Sequence, residues 1–407
     1  MRPKTTEGLF FAAALAVCLL AGCGAPGPAP AAQGDAIRFL NPDSSYGSGT
    51  EAGYYYFTRD ESGNSLLRFV DYATLQDVPL CSQPNCAHGD ESCPAWFAYT
   101  GADVSVCAGD DALYIVYPGV PWNDWAFEAY GEKALPRIVK CGLDGANRQE
   151  LVRFGAAEAF TCLPAADEKN LYAVVADYGE GTDAVKQIVT VDLATGGVSV
   201  DESVQRPELR IAGAWGRELI LEFSTGQYSY AAYNVDTKAL RELKAAGGSV
   251  GAAVGEGVLC RMDESAGAVH IISVEDGSTT ELATDLLDRY SPEWPRLVAV
   301  LDRGYLVQGG EGGSQYNYLI DSEGKATRQE LQAESTDDHD KMRMLQIFAR
   351  RGEEYLTSPS RSYHTSRTPG PGGVTYGEEV ADHAFALMGA EDFWNNAPNY
   401  RSVTRAG

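Results

Sequence analysis

Short apolar runs rich in Val, Ile, Tyr and Leu alternate with polar positions through most of the chain from Gly53 onward. In YYYFTRDESGNSLLRFVDY, from Tyr54, one strand-like stretch leads through a polar gap into a second. A two-residue period puts successive side chains on opposite faces of a strand, and the 3.6-residue period of an amphipathic helix is scarce here. The pattern predicts an all-β chain of short strands joined by tight turns.

These strands group into a recurring unit: a strand, a polar gap, a second strand, a turn with Asp, Gly or Thr, and a third strand ending in Leu or Val. After the copy at Tyr54 it returns as ALYIVYPG with RIVKCGLDGANRQELVRF, and as NLYAVVADYG with QIVTVDLATGGVSV. Three more copies follow, beginning ELILEFS, GVLCRMD and GYLVQGG. An acid marks the turn at Asp71, Asp144, Asp192, Asp236, Glu275 and Asp321. Beyond the first interval these acids stand roughly 40–50 residues apart, the repeat length of a four-stranded propeller blade. Asp at a strand end accepts bonds from its own backbone two residues on, and Gly or Asn supplies the positive φ of tight hairpins.

A less regular copy closes the chain, with EEYLTSPSRSYHTSR and HAFALMGAEDFWNNAPNYRSV. Pro369 to Gly373 read as a loop between its strands, and GAEDFWNN as a short terminal helical turn. A single β-propeller of seven blades is the expected fold, with six or eight blades still open. A β-sandwich or two smaller β domains is the competing architecture, but no proline-rich linker divides the chain in its middle.

The first residues follow a different pattern. Arg2 and Lys4 precede an apolar run from Leu9 to Leu20, too short for a bilayer-spanning helix but laid out as a secretory signal. Leu20-Ala21-Gly22-Cys23 resembles the lipobox of bacterial lipoproteins. That resemblance implies cleavage before Cys23 and a diacylglyceryl group on its sulfur, a firm anchor because two acyl chains bury far more CH₂ than one. GAPGPAPAAQGD then reads as a flexible tether. The expected organisation is a signal over 1–22, a lipidated cysteine and tether over 23–36, and a propeller over 37–407. Its place would be the outer face of the cell membrane.

Composition narrows the partners. A formal net charge of −25 opposes nucleic acid and anionic lipid surfaces, which attract proteins through Lys and Arg. The partners left open are a glycan, a peptide or a protein, besides the membrane reached through the anchor.

Seven cysteines lie beyond Cys23: Cys81, Cys86, Cys93, Cys107, Cys141, Cys162 and Cys260. An odd number cannot all pair within one chain. The first three fall in CSQPNCAHGDESCPAW, where Cys81, Cys86, His88 and Cys93 give C-x4-C-x-H-x4-C. Three thiols and an imidazole suit a structural zinc ion. A disulfide joining Cys81 or Cys86 to Cys93, with Cys107 as a candidate partner for the remaining thiol, would staple the insert over 81–107 instead, and unpaired buried thiols are the third reading. PLCSQPNCAHGDESCPAW, the lipobox and the ending FALMGAEDFWNNAPNYRSV together resemble a group of uncharacterised Gram-positive lipoproteins with a C-x-x-P-x-C-x-H-type motif and propeller-like repeats. The resemblance implies a surface-anchored propeller with no established activity.

No G-x-S-x-G, H-E-x-x-H, P-loop or dinucleotide fingerprint occurs. The acidic stretches at Asp60 and Asp263 lack calcium-loop spacing and read as hairpin turns. In PWNDW, Trp122 and Trp125 are candidates to hold a sugar or peptide, with Asn123 and Asp124 as hydrogen-bonding partners, or else they pack their own loop down. A non-catalytic binding or scaffold propeller is the expected function. An envelope-assembly or signalling docking protein and a carbohydrate-active enzyme are the alternatives.

Overall fold

The computed structural model describes residues 36–40, 47–179, 184–206, 208–224, 228–244, 252–335, 344–370 and 373–406. Cys23, the signal and most of the tether lie outside the described residues. The strands form seven sheets, each a blade, and the blades follow one another around a ring. Blade 1 runs from its innermost strand Gly47–Gly49 through Gly53–Arg59 and Ser65–Asp71 to Gln76–Pro79. Blade 7 contributes Ile347–Arg351, Glu354–Gly370, Gly373–Gly389 and Tyr400–Ser402.

Alternation along the strands explains how the blades stack. In Ala112–Tyr117 of blade 2, Leu113 and Ile115 join a core with Tyr55 and Leu67 of blade 1. Tyr114 and Val116, pointing the other way, join Ala173 and Val189 of blade 3. The same division repeats around the ring, ending with a core in which Tyr54 and Tyr56 of blade 1 meet Phe348 and Phe385 of blade 7. Gly47–Gly49 touches the innermost strands of both blades 2 and 7, so the ring is closed. One closed ring rules out two separate cores.

Both ends of the described chain are built into this ring. Thr404–Arg405 adds a parallel strand outside Gln76–Pro79, placing a piece of the C-terminus in blade 1. Asp77 lies beneath it, accepting from Arg68 Nε at 2.9 Å and from the Tyr56 hydroxyl at 2.7 Å. Arg68 also donates to the carbonyl of Ala406 at 2.9 Å, and the side chains of Arg68 and Asp77 are each 3% exposed. At the other end, Arg38–Phe39 pairs antiparallel with Ala165–Ala166, the innermost strand of blade 3. Ile37 N–H donates to Gly216 and Leu40 N–H to Pro164, so this segment runs along the central channel. It enters from the face bearing the turn between the first and second strands of each blade, here called the hairpin face.

The turn chemistry follows the sequence with two exchanges. Asp71, Asp192 and Asp321 each accept from two backbone N–H groups of the turn that follows. In blade 4 Asn234 does this work, while Asp236 pairs with Arg217 at 2.7 Å. In blade 5 Ser273 and Asp276 cap the turn, leaving Glu275 exposed. Asp60 and Asp263 cap hairpins, as expected. The expected loop at Pro369–Gly373 is corrected: Pro369 pairs with Val374 and Gly370 with Gly373, so the ribbon continues almost to its tip. The helical turn forms at Ala390–Trp394.

Because Asp77 holds both a buried guanidinium and the buried Tyr56 hydroxyl, Asp77→Ala should cost about 3–5 kcal/mol, the penalty for stranding a buried charge. Urea unfolding followed by circular dichroism measures it. A loss no larger than that of an exposed control such as Asp276→Ala would show that the pair is not what secures the closure.

Candidate metal centre

The cysteine insert interrupts the outer edge of blade 1. Gln76–Pro79 pairs with Ser65–Asp71 up to Arg68, and Leu80 N–H then donates to the carbonyl of Leu67. On the chain's return, Leu67 N–H donates to Ala95, and Trp96–Phe97 pairs with Leu66 and Ser65. The edge strand thus resumes where it stopped, and residues 81–94 form a loop thrown out from it. Cys81 is the first residue to leave the edge, and Cys93 stands just before the return.

Short turns carry the other ligands inward. Cys86 N–H reaches back to Gln83 across Pro84, and Asn85 has φ 59°. His88 has φ 53°, a left-handed conformation that His enters more readily than most residues. Asp90 Oδ1 accepts from Ser92 N–H at 2.9 Å, and Cys93 N–H donates to Asp90 at 3.0 Å. The three sulfurs and one imidazole nitrogen come within 4.8 Å of one another, His88 Nδ1 lying 3.2 Å from Cys93 Sγ.

That spacing fits a shared cation. Tetrahedral sulfurs bonded at roughly 2.3 Å to one ion stand roughly 3.8 Å apart. A metal-binding thiolate also needs donors of its own, and Ala95 N–H points at Cys93 Sγ from 3.3 Å. The His88 backbone N–H lowers the Cys86 thiol below its ordinary range, with smaller help from the neighbouring thiols. Burial pushes Cys93 up to about 12. A cation at the centre reverses that, because it stabilises every thiolate facing it. The donor set therefore fits a metal ion.

Blade 2 buttresses the loop. Arg148 stacks 3.8 Å above the Phe97 ring and donates to the carbonyls of Pro94 and Trp96. Lys133 pairs with Glu91 at 2.8 Å. Sequence reasoning missed Arg148, because nothing local marks an arginine 52 residues from its partner Trp96 as part of the insert.

The other thiols stand apart from this cluster. Cys107 is buried in the core between blades 2 and 3, whereas Cys93 packs between blades 1 and 2. Cys107 and its neighbours Val106 and Ala108 alternate across one strand, so the candidate pairing of Cys107 with a thiol of the insert is corrected: Cys81, Cys86 and Cys93 pack against the other core. No disulfide joins the described cysteines.

The PWNDW candidates are divided between two roles. Trp125 packs with Val120, Ala126 and Tyr130. Asn123 caps the helix Asp124–Tyr130 by accepting from Ala126 N–H at 3.4 Å, and Asp124 opens its first turn. Trp122 is 65% exposed and meets Tyr178 edge-on at 5.5 Å. The two indoles do not form one platform.

No protein-family model matches this chain, and no curated protein matches it in sequence. Among solved structures, a puromycin hydrolase is similar at 14% identity, covering 92% of this chain and 56% of that one, with TM-score 0.51. This chain thus spans little more than half the hydrolase. An oligogalacturonate lyase in complex with manganese gives 12% identity, 90% and 96% coverage and TM-score 0.47. BamB from Moraxella catarrhalis gives 12%, 75% and 76%, and 0.38. Such likeness reflects fold alone.

Alkylation of the unfolded protein without reductant, under anaerobic conditions, should modify all seven thiols from Cys81 to Cys260. Intact-mass spectrometry reads the number. A mass two adducts short, traced to Cys81, Cys86 or Cys93, would restore the disulfide staple.

Proposed function

We propose that this chain is a lipid-anchored lipoprotein on the outer face of a bacterial membrane, and that it binds a partner without transforming it. The observation that carries this reading is the course of the N-terminal segment. Residues 37–40 are threaded through the channel and hydrogen-bonded to blades 3 and 4, so the chain leaves the ring on the hairpin face. From Ala36 back to Cys23 the chain reaches at most roughly 45 Å when extended. An anchor at Cys23 would hold a rigid ring close to the membrane with one face turned toward it, as a recognition platform requires. Among the described residues no helix is long and apolar enough to cross a membrane.

Zinc is the metal we assign to Cys81, Cys86, His88 and Cys93, in a structural role. Its preference for thiolate and imidazole in a four-ligand shell matches this set. Closed by four protein ligands, the ion has no open position for substrate.

The carbohydrate-enzyme reading draws less support. Glycosidases set two carboxylates on either side of the scissile bond. The acids that line the central channel cavity, Glu256 and Glu275, both belong to blade 5, and the acids of the other inner hairpins, such as Glu51 and Glu168, lie outside its lining. A glycan, peptide or protein held at the channel mouth fits better, and the net charge of −25 disfavours nucleic acid.

Two measurements test this. The chain made from Gly24 behind a cleavable secretory signal should leave the membrane for the soluble fraction, whereas retention at the membrane would sink the anchor. Elemental analysis of that soluble form should find one zinc per chain, falling below half in Cys86→Ser or His88→Ala. Each kcal/mol of stability lost with the metal lowers Tm by about 1 °C in a domain this large.

A further inference from the structure

The central channel holds a cavity of about 810 Å³, within the size range of small-molecule sites. Its walls come from the innermost strands: Gly213 and Ala214 of blade 4, Val254 of blade 5, and Val298 and Val300 of blade 6. Phe39 of the threaded segment contributes to the lining on the blade 3 side. These short or apolar side chains leave a space suited to an uncharged molecular body.

The open end is chemically different. Trp215 is 44% exposed there, at the end of the innermost strand of blade 4. Gly257 supports it: a Cβ on that glycine would lie 2.8 Å from the indole Cε2 and 3.0 Å from Nε1. The indole is therefore braced against backbone while nearly half its surface stays open. Beside Gly257 stands Glu256, at φ 48°. Two-residue hairpins with both φ values positive ordinarily take Asn, Asp or Gly at this position, so Glu is an unfavourable choice. It sets a carboxylate among the lining residues that include the indole. Glu275, left unused by its own turn, supplies a second.

Two cations, Arg38 and Arg350, share the lining, each held by a partner. Arg38 pairs with Asp110 at 2.8 Å, and Arg350 donates to the carbonyl of Val300. Around the mouth the inner hairpins carry Lys169, Arg217 and Arg303, but their acids, among them Glu51, Asp111, Glu168, Asp302 and Glu353, outnumber these. The local potential is therefore negative, and it draws cations toward the opening.

We propose that this cavity binds an organic cation, a primary or quaternary ammonium carried on an apolar body. Trp215 offers the ammonium a π face, Glu256 and Glu275 balance its charge, and the Ala, Gly and Val walls take the body. The proposal deepens the reading of the channel mouth as a recognition surface and rests on it.

The test uses the folded soluble form, the chain from Gly24, with benzyltrimethylammonium as probe and phenylacetate and benzyl alcohol as comparators. Calorimetry should show saturable binding of the cation that weakens with salt, and at least tenfold weaker binding of both comparators. Trp215→Ala should weaken the cation at least tenfold and Trp215→Phe less. Glu256→Gln and Glu275→Gln should each weaken it several-fold and flatten the salt dependence, with melting temperatures reporting that every variant stays folded. Absence of saturation at millimolar probe, equal or tighter binding of phenylacetate, or affinity untouched by Trp215→Ala would each overturn the proposal. Membrane fractionation and zinc content would be unmoved by those failures, so the anchored-platform reading stands or falls separately.

Discussion

Each blade of this protein has two apolar faces, and neither can be left in water. Leu113 and Ile115 look one way from a strand whose Tyr114 and Val116 look the other, and a different core receives each pair. A linear stack would expose one face at each end. Closure gives the last face of blade 7 to the first face of blade 1. That final interface is rich in aromatic rings, with Phe385 edge-on to Tyr56 at 5.0 Å and to Phe348 at 5.2 Å. Such pairs contribute about 0.5–1.5 kcal/mol each beyond their buried area. The contact also brings the most distant parts of the chain together, so it carries the largest loss of chain entropy. Arg68, Asp77 and the added strand Thr404–Arg405 secure this same blade, which is where a closing lock has most effect.

The metal loop belongs to that logic. An edge strand that pairs with Thr404–Arg405 on its first half cannot be extended outward without disturbing the closure. The insert instead leaves after Leu80 and returns at Ala95, both bonded to Leu67, and the ladder on either side is undisturbed. A loop of Ser, Gln, Pro, Asn, Gly and Asp has little apolar surface with which to hold itself in place. Cys81 and Cys93 stand at its two ends, so an ion held between them would draw the base of the loop shut. Arg148 then fastens the returning limb to blade 2. The first blade is thus secured on one half of its edge by the C-terminus and on the other by the cluster.

Much of this was legible from residue order because propeller blades are built from local hairpins. Two-residue alternation, and acids such as Asp71, Asp192 and Asp321 at strand ends, depend on neighbours in sequence, and these readings carry into the structure. Where geometry is non-local they do not. Asn234 replaces Asp236 as a cap because the last strand residue, not the most acidic one, faces the turn. Pro369 and Gly373 look like loop formers, yet they sit near the tip of a ribbon whose edges tolerate both. The four ligands were legible as a set, but not their place in an interrupted strand, since that register is written in Leu67. Trp215 gave no signal at all, because its exposure depends on Gly257 in the next blade.

The threaded N-terminus joins these features. A segment lying free beside the ring would leave the channel open along its whole length and the orientation of the ring undefined. Bonded to Ala165–Ala166 and Gly216, residues 37–39 instead fill one wall of the channel and fix where the chain departs. Ile37 and Leu40 are 3% and 4% exposed, so withdrawing the segment would uncover apolar surface as well as break backbone bonds. The same four-residue passage therefore narrows the cavity and supplies Phe39 to its lining. It also directs the chain out beside the acidic mouth. The width of the cavity and the point where the chain leaves the ring are consequently set by one piece of backbone. A substitution that loosened it would change both together.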